Sequence, residues 1–107
     1  MNLQVTIKGI EDRSALRNEA EARTATSLSR FQNRILNAHV LLEDVTGPHK
    51  QTVDKRCRID LRLKNGGTLT IDEVGADVLA SLAVALDRLK TALGRNVGKT
   101  KRGIGAG

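Results

Sequence analysis

Apolar residues in this chain recur at two different periods, and the order in which those periods alternate leaves little choice of architecture. Leu3, Val5 and Ile7 alternate with Asn2, Gln4, Thr6 and Lys8, the period-two pattern of a half-buried strand. Gly9 interrupts it, and Glu11 and Asp12 then put negative charge where a helix N-terminus favours it. Asp12 or Ser14 is the expected N-cap. From about Ser14 to Phe31 the period lengthens: Leu16, Ala20, Leu28 and Phe31 share one arc at about 100° per residue. Thr24 and Ser27 lie in that arc too, so this helix depends on packing against the rest of the fold.

The period then returns to two. Ile35 to Val45 reads as a second strand with Ala38, Val40 and Leu42 on one face. The segment TGPHKQ, residues 46–51, turns the chain. A third strand runs from about Thr52 to Lys64, with Cys57, Ile59, Leu61 and Leu63 inward. Asn65-Gly66 predicts a tight type I′ hairpin, whose two central positions need positive φ. Thr68 to Asp72 follows as a fourth strand with Leu69 and Ile71 inward.

After Gly75, Asp77 is placed to cap a second helix, whose stripe of Val78, Leu82, Ala85, Leu86, Leu89 and Leu93 is the cleanest in the chain. Gly94 is expected just past its end. The order β-α-β-β-β-α predicts an α+β fold, a four-stranded sheet with both helices packed on its one apolar face. One domain over 1–95 with a basic, Gly-rich, flexible tail over 96–107 is the expected organisation.

Composition excludes several functions. No stretch approaches the roughly 20 apolar residues of a membrane span. Met1 to Lys8 lacks the apolar run of a signal peptide, and the lone Cys57 excludes an internal disulfide, so a cytosolic location is expected. Lys plus Arg is 18 against 12 Asp plus Glu, a net charge of +6. That excess suits a polyanionic partner, and composition alone leaves equal room for an incidentally basic surface. With no Trp, no Tyr and only Phe31, the chain cannot build a base-stacking platform. Any RNA it binds is held through phosphates, 2′-hydroxyls and shape.

The position of the charge is informative. Arg56, Arg58 and Arg62 alternate with inward residues, so a solvated sheet face accounts for them, with Glu43 and Asp72 available across the strands. Arg23 and Arg30 are seven apart on the first helix, as are Arg88 and Arg95 on the second, and Lys99, Lys101 and Arg102 continue beyond. Two basic edges on neighbouring helices would make one positive groove. Ordinary helix-surface charge is the alternative, with Glu19 at i−4 from Arg23.

Two tempting motifs fail. GRNVGKT, residues 94–100, has only three residues between Gly94 and Gly98 and follows a helix, so it is not a phosphate loop. A hydrolase or thiol enzyme would have to use Cys57, His39 or His49, and no base, paired carboxylate or metal-ligand spacing accompanies them. No catalytic residue, metal or cofactor is expected.

Several stretches in this order resemble the bacterial ribosome hibernation factors, also called ribosome-associated inhibitor or sigma-54 modulation proteins. They are ALRNEAEAR (15–23), RFQNRILNAHVLL (30–42), NGGTL (65–69) and ADVLASLAVALDRLKTAL (76–93), and the likeness runs from about Leu3 to Lys99. The resemblance implies a fold similar to double-stranded-RNA-binding domains. It also implies binding of the small ribosomal subunit, through its 16S rRNA, in the decoding region, which stops translation by blocking messenger and transfer RNA. The family's basic groove corresponds to Arg23, Arg30, Arg88, Arg95 and Lys99; Lys101 and Arg102 are added from charge alone.

A non-enzymatic protein is expected, with no small-molecule substrate and monomeric away from the ribosome. The chain departs from the family at Leu79, where Tyr is usual, and at Ala83, where Asp or Asn is usual. Thr26 stands near a position that is often basic. It resembles a short form, without the second domain that pairs ribosomes. The alternative is a general double-stranded-RNA-binding module without ribosomal preference.

Overall fold

The protein, a computed structural model, is described over residues 1–11, 13–45 and 54–106, and its side chains over those residues as far as 95. The elements are β1 (Asn2–Lys8), α1 (Arg13–Leu28), β2 (Ile35–Asp44), β3 (Lys55–Leu63), β4 (Thr68–Gly75) and α2 (Val78–Ala106), with a 3₁₀ segment over Ser29–Arg34. The β-α-β-β-β-α order and the α+β class are those expected. Asp12, His49, the turn over 46–51 and the expected strand start at Thr52 lie outside the described residues.

The sheet order is β1-β2-β3-β4. Helix α1 carries the chain back over the sheet, so β2 joins β1 in parallel, Val5 opposite Val40. The later strands pair antiparallel, with Val40 opposite Ile59 and Ile59 opposite Ile71. Residues of one parity from every strand therefore meet the helices. Val5, Val40, Ile59 and Leu61 join Ala20 and Leu28 of α1 and Leu82, Leu89 and Leu93 of α2 in a single buried cluster. Burying such side chains contributes roughly 1.5–3 kcal/mol each, which is why the thin stripe of α1 suffices.

The register defines two ends of the domain. Lys8, Asp44, Lys55 and Gly75 lie at one, where α2 begins; Asn2, Ile35, Leu63 and Thr68 lie at the other, which we call the hairpin end. Asp77 caps α2 as expected, its Oδ1 accepting from the Leu79 N–H at 3.2 Å and its carbonyl from the Ser81 N–H at 2.9 Å. Ser14 lies inside α1 and is not its cap.

Three local expectations are corrected. The first helix stops at Leu28 rather than Phe31, because Leu28 leaves α geometry at φ −97°, ψ 6°. The Ser29 hydroxyl also donates to the Thr26 carbonyl at 2.9 Å, and the chain tightens into the 3₁₀ segment. The Asn-Gly turn is not the two-residue type. Gly66 donates to the Leu63 carbonyl at 3.0 Å and Leu63 to the Gly67 carbonyl at 2.8 Å, leaving a three-residue loop. Gly66 alone of its glycines takes positive φ, +94°, and the Asn65 side chain accepts from Gly67 N–H at 2.9 Å. Finally, α2 continues to Ala106, past Gly94, the residue expected just beyond its end. No proline interrupts 94–106, each glycine there costs only about 1 kcal/mol, and extending an existing helix needs no new nucleus.

Candidate nucleic-acid interface

Charge on the outer sheet face is largely answered within the face itself. The Arg56 guanidinium binds Asp72 through Nε at 2.9 Å and Nη2 at 2.5 Å, and reaches Glu43 at 3.4 Å. This contact holds the Asp72 carboxyl below its ordinary range and raises Arg56. Lys55 pairs with Asp44 at 3.3 Å and Arg58 with Asp60 at 3.4 Å. Arg62, at the hairpin end, has no ion-pair partner among the described residues.

Cys57 and His39, the candidate catalytic side chains among the described residues, have structural places. Cys57 is fully buried, and burial, with the nearby Asp72 and Glu73 charges, pushes its thiol up to about 12. His39 Nε2 and Thr6 Oγ1 share a hydrogen bond of 2.8 Å across β1 and β2. Among the described residues no group of three His, Cys, Asp or Glu side chains is placed to hold a metal ion.

The helices present two separate basic flanks rather than one groove. Between α1 and α2 runs an open groove of about 420 Å³, where Arg23, Thr26 and Ser27 face Ala83, Leu86, Asp87 and Lys90. Arg88 and Arg95 lie on the opposite flank of α2, around a hollow of about 280 Å³ against Ile71 of β4. The buried arc Leu82, Ala85, Leu89 and Leu93 separates the flanks. Arg88 donates to Glu73 on β4, whereas Arg95 is exposed and unpaired among the described residues.

Arg30 does not share a helical face with Arg23. It sits in the 3₁₀ segment, its guanidinium carbon 5.6 Å from the Phe31 ring centroid. Arg23 meets Glu19, four residues back, at 2.7 Å. The side chains of Lys99, Lys101 and Arg102 lie outside those described.

Sequence reasoning missed Lys90, which points into the interhelical groove without a carboxylate partner among the described residues. Its seven-residue spacing from Ala83 held the signal. What the sequence lacked was which flank of α2 faces α1, since a symmetric apolar arc looks the same from both sides. Two of the departures, Thr26 and Ala83, line this groove; the third, Leu79, packs against the core.

No described helix is long and apolar enough to cross a membrane. The family described as sigma 54 modulation protein / S30EA ribosomal protein matches residues 3–101. No curated protein sequence matches the chain. The N-terminal domain of Thermus thermophilus Protein Y superposes with a TM-score of 0.70 at 30% identity, over 89% of this chain and 98% of that one. A ribosomal subunit interface protein from Coxiella burnetii shares the fold at a TM-score of 0.70 and 21% identity, over 92% and 99% of the two chains. On a match across nearly its whole length, the chain belongs to the sigma 54 modulation protein / S30EA ribosomal protein family.

Proposed function

We propose that the protein is a ribosome-associated translation inhibitor, a hibernation factor that binds the small subunit in the decoding region and blocks messenger and transfer RNA. It acts in the cytoplasm without catalysis, cofactor or small-molecule substrate, and is a monomer when free. The observation that carries this reading is α2, one continuous helix with basic residues on both flanks, in a chain whose family is described as ribosomal. Arg23, Arg30, Arg88 and Arg95 sit on or beside rigid helices, and Lys99, Lys101 and Arg102 continue α2. Phosphate neutralisation supplies affinity, and the fixed geometry of the helices supplies register on folded 16S rRNA.

The test compares binding to purified small subunits with binding to a generic RNA duplex, and asks whether bound protein excludes messenger and initiator transfer RNA. Preference for the subunit with exclusion of both ligands supports the reading. Equal affinity for the duplex, with no exclusion, would replace it with a general RNA-binding module.

A further inference from the structure

We propose that the hairpin end of the domain, where the 3₁₀ segment meets the β3–β4 turn, is a second RNA-backbone site built from Arg34, Lys64 and Arg62, with Arg30 beside them. The proposal rests on the RNA-binding reading above and extends it to residues off the two helices.

The first observation is the contrast in pairing. Arg23, Lys55, Arg56, Arg58 and Arg88 each have a carboxylate partner. Arg30, Arg34, Arg62 and Lys64 are exposed, and none has one among the described residues, nor have Lys90 and Arg95 of α2. The nearest acidic residue in register is Asp60, which accepts from the Thr70 hydroxyl at 2.7 Å and pairs with Arg58.

The second observation is that the backbone ties the segment carrying Arg34 to the end of β3 that carries Arg62 and Lys64. Lys64 N–H donates to the Arg34 carbonyl at 2.9 Å, tying the end of the 3₁₀ segment to the end of β3. Ile35 then pairs with Leu63 and Asn37 with Arg62, so a bulge leaves Leu36 as the extra residue, 45% exposed beside the cations. Next to Arg62, on the outer face, a hollow of about 370 Å³ is lined by Asn37, His39, Thr68 and Thr70, and by Asp60, whose carboxylate is engaged by the Thr70 hydroxyl and Arg58. It offers amide, imidazole and hydroxyl groups, which suit phosphate and 2′-hydroxyl oxygens.

Ordinary explanations cover only part of this. A cation at a helix C-terminus complements the helix dipole, which accounts for Arg34 in the last turn of its segment. It does not account for Arg62 and Lys64 in and after a strand. Cations on neighbouring backbone without a bound carboxylate repel one another, and a polyanion relieves that repulsion. A protein partner fits less well, because the patch offers a single exposed apolar side chain, Leu36, and no exposed aromatic ring.

The experiment uses the full chain with Arg34→Gln and Lys64→Gln together, which keeps the backbone bond between them. The control, Arg13→Gln with Arg17→Gln, removes equal charge from exposed positions near the start of α1. Binding to purified small subunits, and to an RNA duplex of about 16 base pairs, is measured across a salt series.

The hairpin-end variant is expected to bind subunits about tenfold more weakly, with the log–log salt slope smaller by about 1.4–1.8, while the control changes neither. An unchanged affinity and slope, an equal loss in the control, or weaker binding at an unchanged slope would each overturn the site. The last result would indicate a protein contact. If the wild type ignores subunits yet binds the duplex with this dependence, the ribosomal reading fails and the site stands. If it binds neither, both fail.

Discussion

Arg56 on β3 grips Asp72 on β4 diagonally: its direct neighbour in the register is Val74, yet its Nε lies 2.9 Å and its Nη2 2.5 Å from the carboxylate. A bidentate pair of this kind fixes both side chains and removes most of the field they would project. Together with Glu43 and the Arg58–Asp60 pair, it makes much of the outer sheet face self-compensating. The charge available to a partner therefore lies on the helices and at the hairpin end.

Asp72→Asn is predicted to lower stability slightly at neutral pH, since the pair is open to solvent. The native carboxyl titrates below its ordinary value of 3.8, so its contribution is present above that pH and is lost as pH falls through the native value. Urea unfolding of wild type and variant from about pH 7 to about pH 2 should show two stability curves that converge on acidification. A gap that widens in acid would contradict the assignment.

Cys57 should be chemically silent in the native state. Its contribution to stability is complete below 9.0 and is lost as pH rises toward about 12, because the unfolded thiol ionises first. Iodoacetamide at about pH 8 should label it only through unfolding, and Cys57→Ala should leave ribosome binding unchanged. Native labelling at the rate of a free peptide thiol would place it on an accessible surface instead.

Two glycines separate backbone strain from packing, because a Cβ on either meets no atom within 4 Å. Gly66→Ala, at φ +94°, should destabilise by about 1–2 kcal/mol. Gly94→Ala, inside α2, should stabilise by up to about 1 kcal/mol. Thermal unfolding reads both, at about 4–8 °C per kcal/mol for a domain of this size. Stabilisation by Gly66→Ala would contradict the turn geometry.

The fold was legible because the strands and α2 carry one clear apolar period, as Cys57 to Leu63 and Val78 to Leu93 show. Element ends were less so. Gly94 looks like a stop, but a glycine only weakens a helix, whereas the departure at Leu28 depends on where the next strand must start. The Asn65-Gly66 pair announced a turn without fixing its length, because a three-residue loop also uses glycine at positive φ. For the interface, sequence identified which residues are basic. Pairing was harder: Glu19 with Arg23 follows from helical spacing, while Glu73 with Arg88 needs the packing of α2 on β4. The cluster of Arg34, Arg62 and Lys64 was invisible, since it forms only where three elements converge.

The central claim is that charge on the helices, and not the paired Arg56 and Arg58 of the outer sheet face, engages the ribosome. It is tested most directly by co-sedimentation with purified small subunits of two charge-matched variants, Arg88→Gln with Arg95→Gln and Arg56→Gln with Arg58→Gln. The helix variant is predicted to lose binding about tenfold with a shallower salt dependence, and the folded sheet variant to stay near wild type. A sheet variant that loses as much binding as the helix variant, or more, would contradict the account.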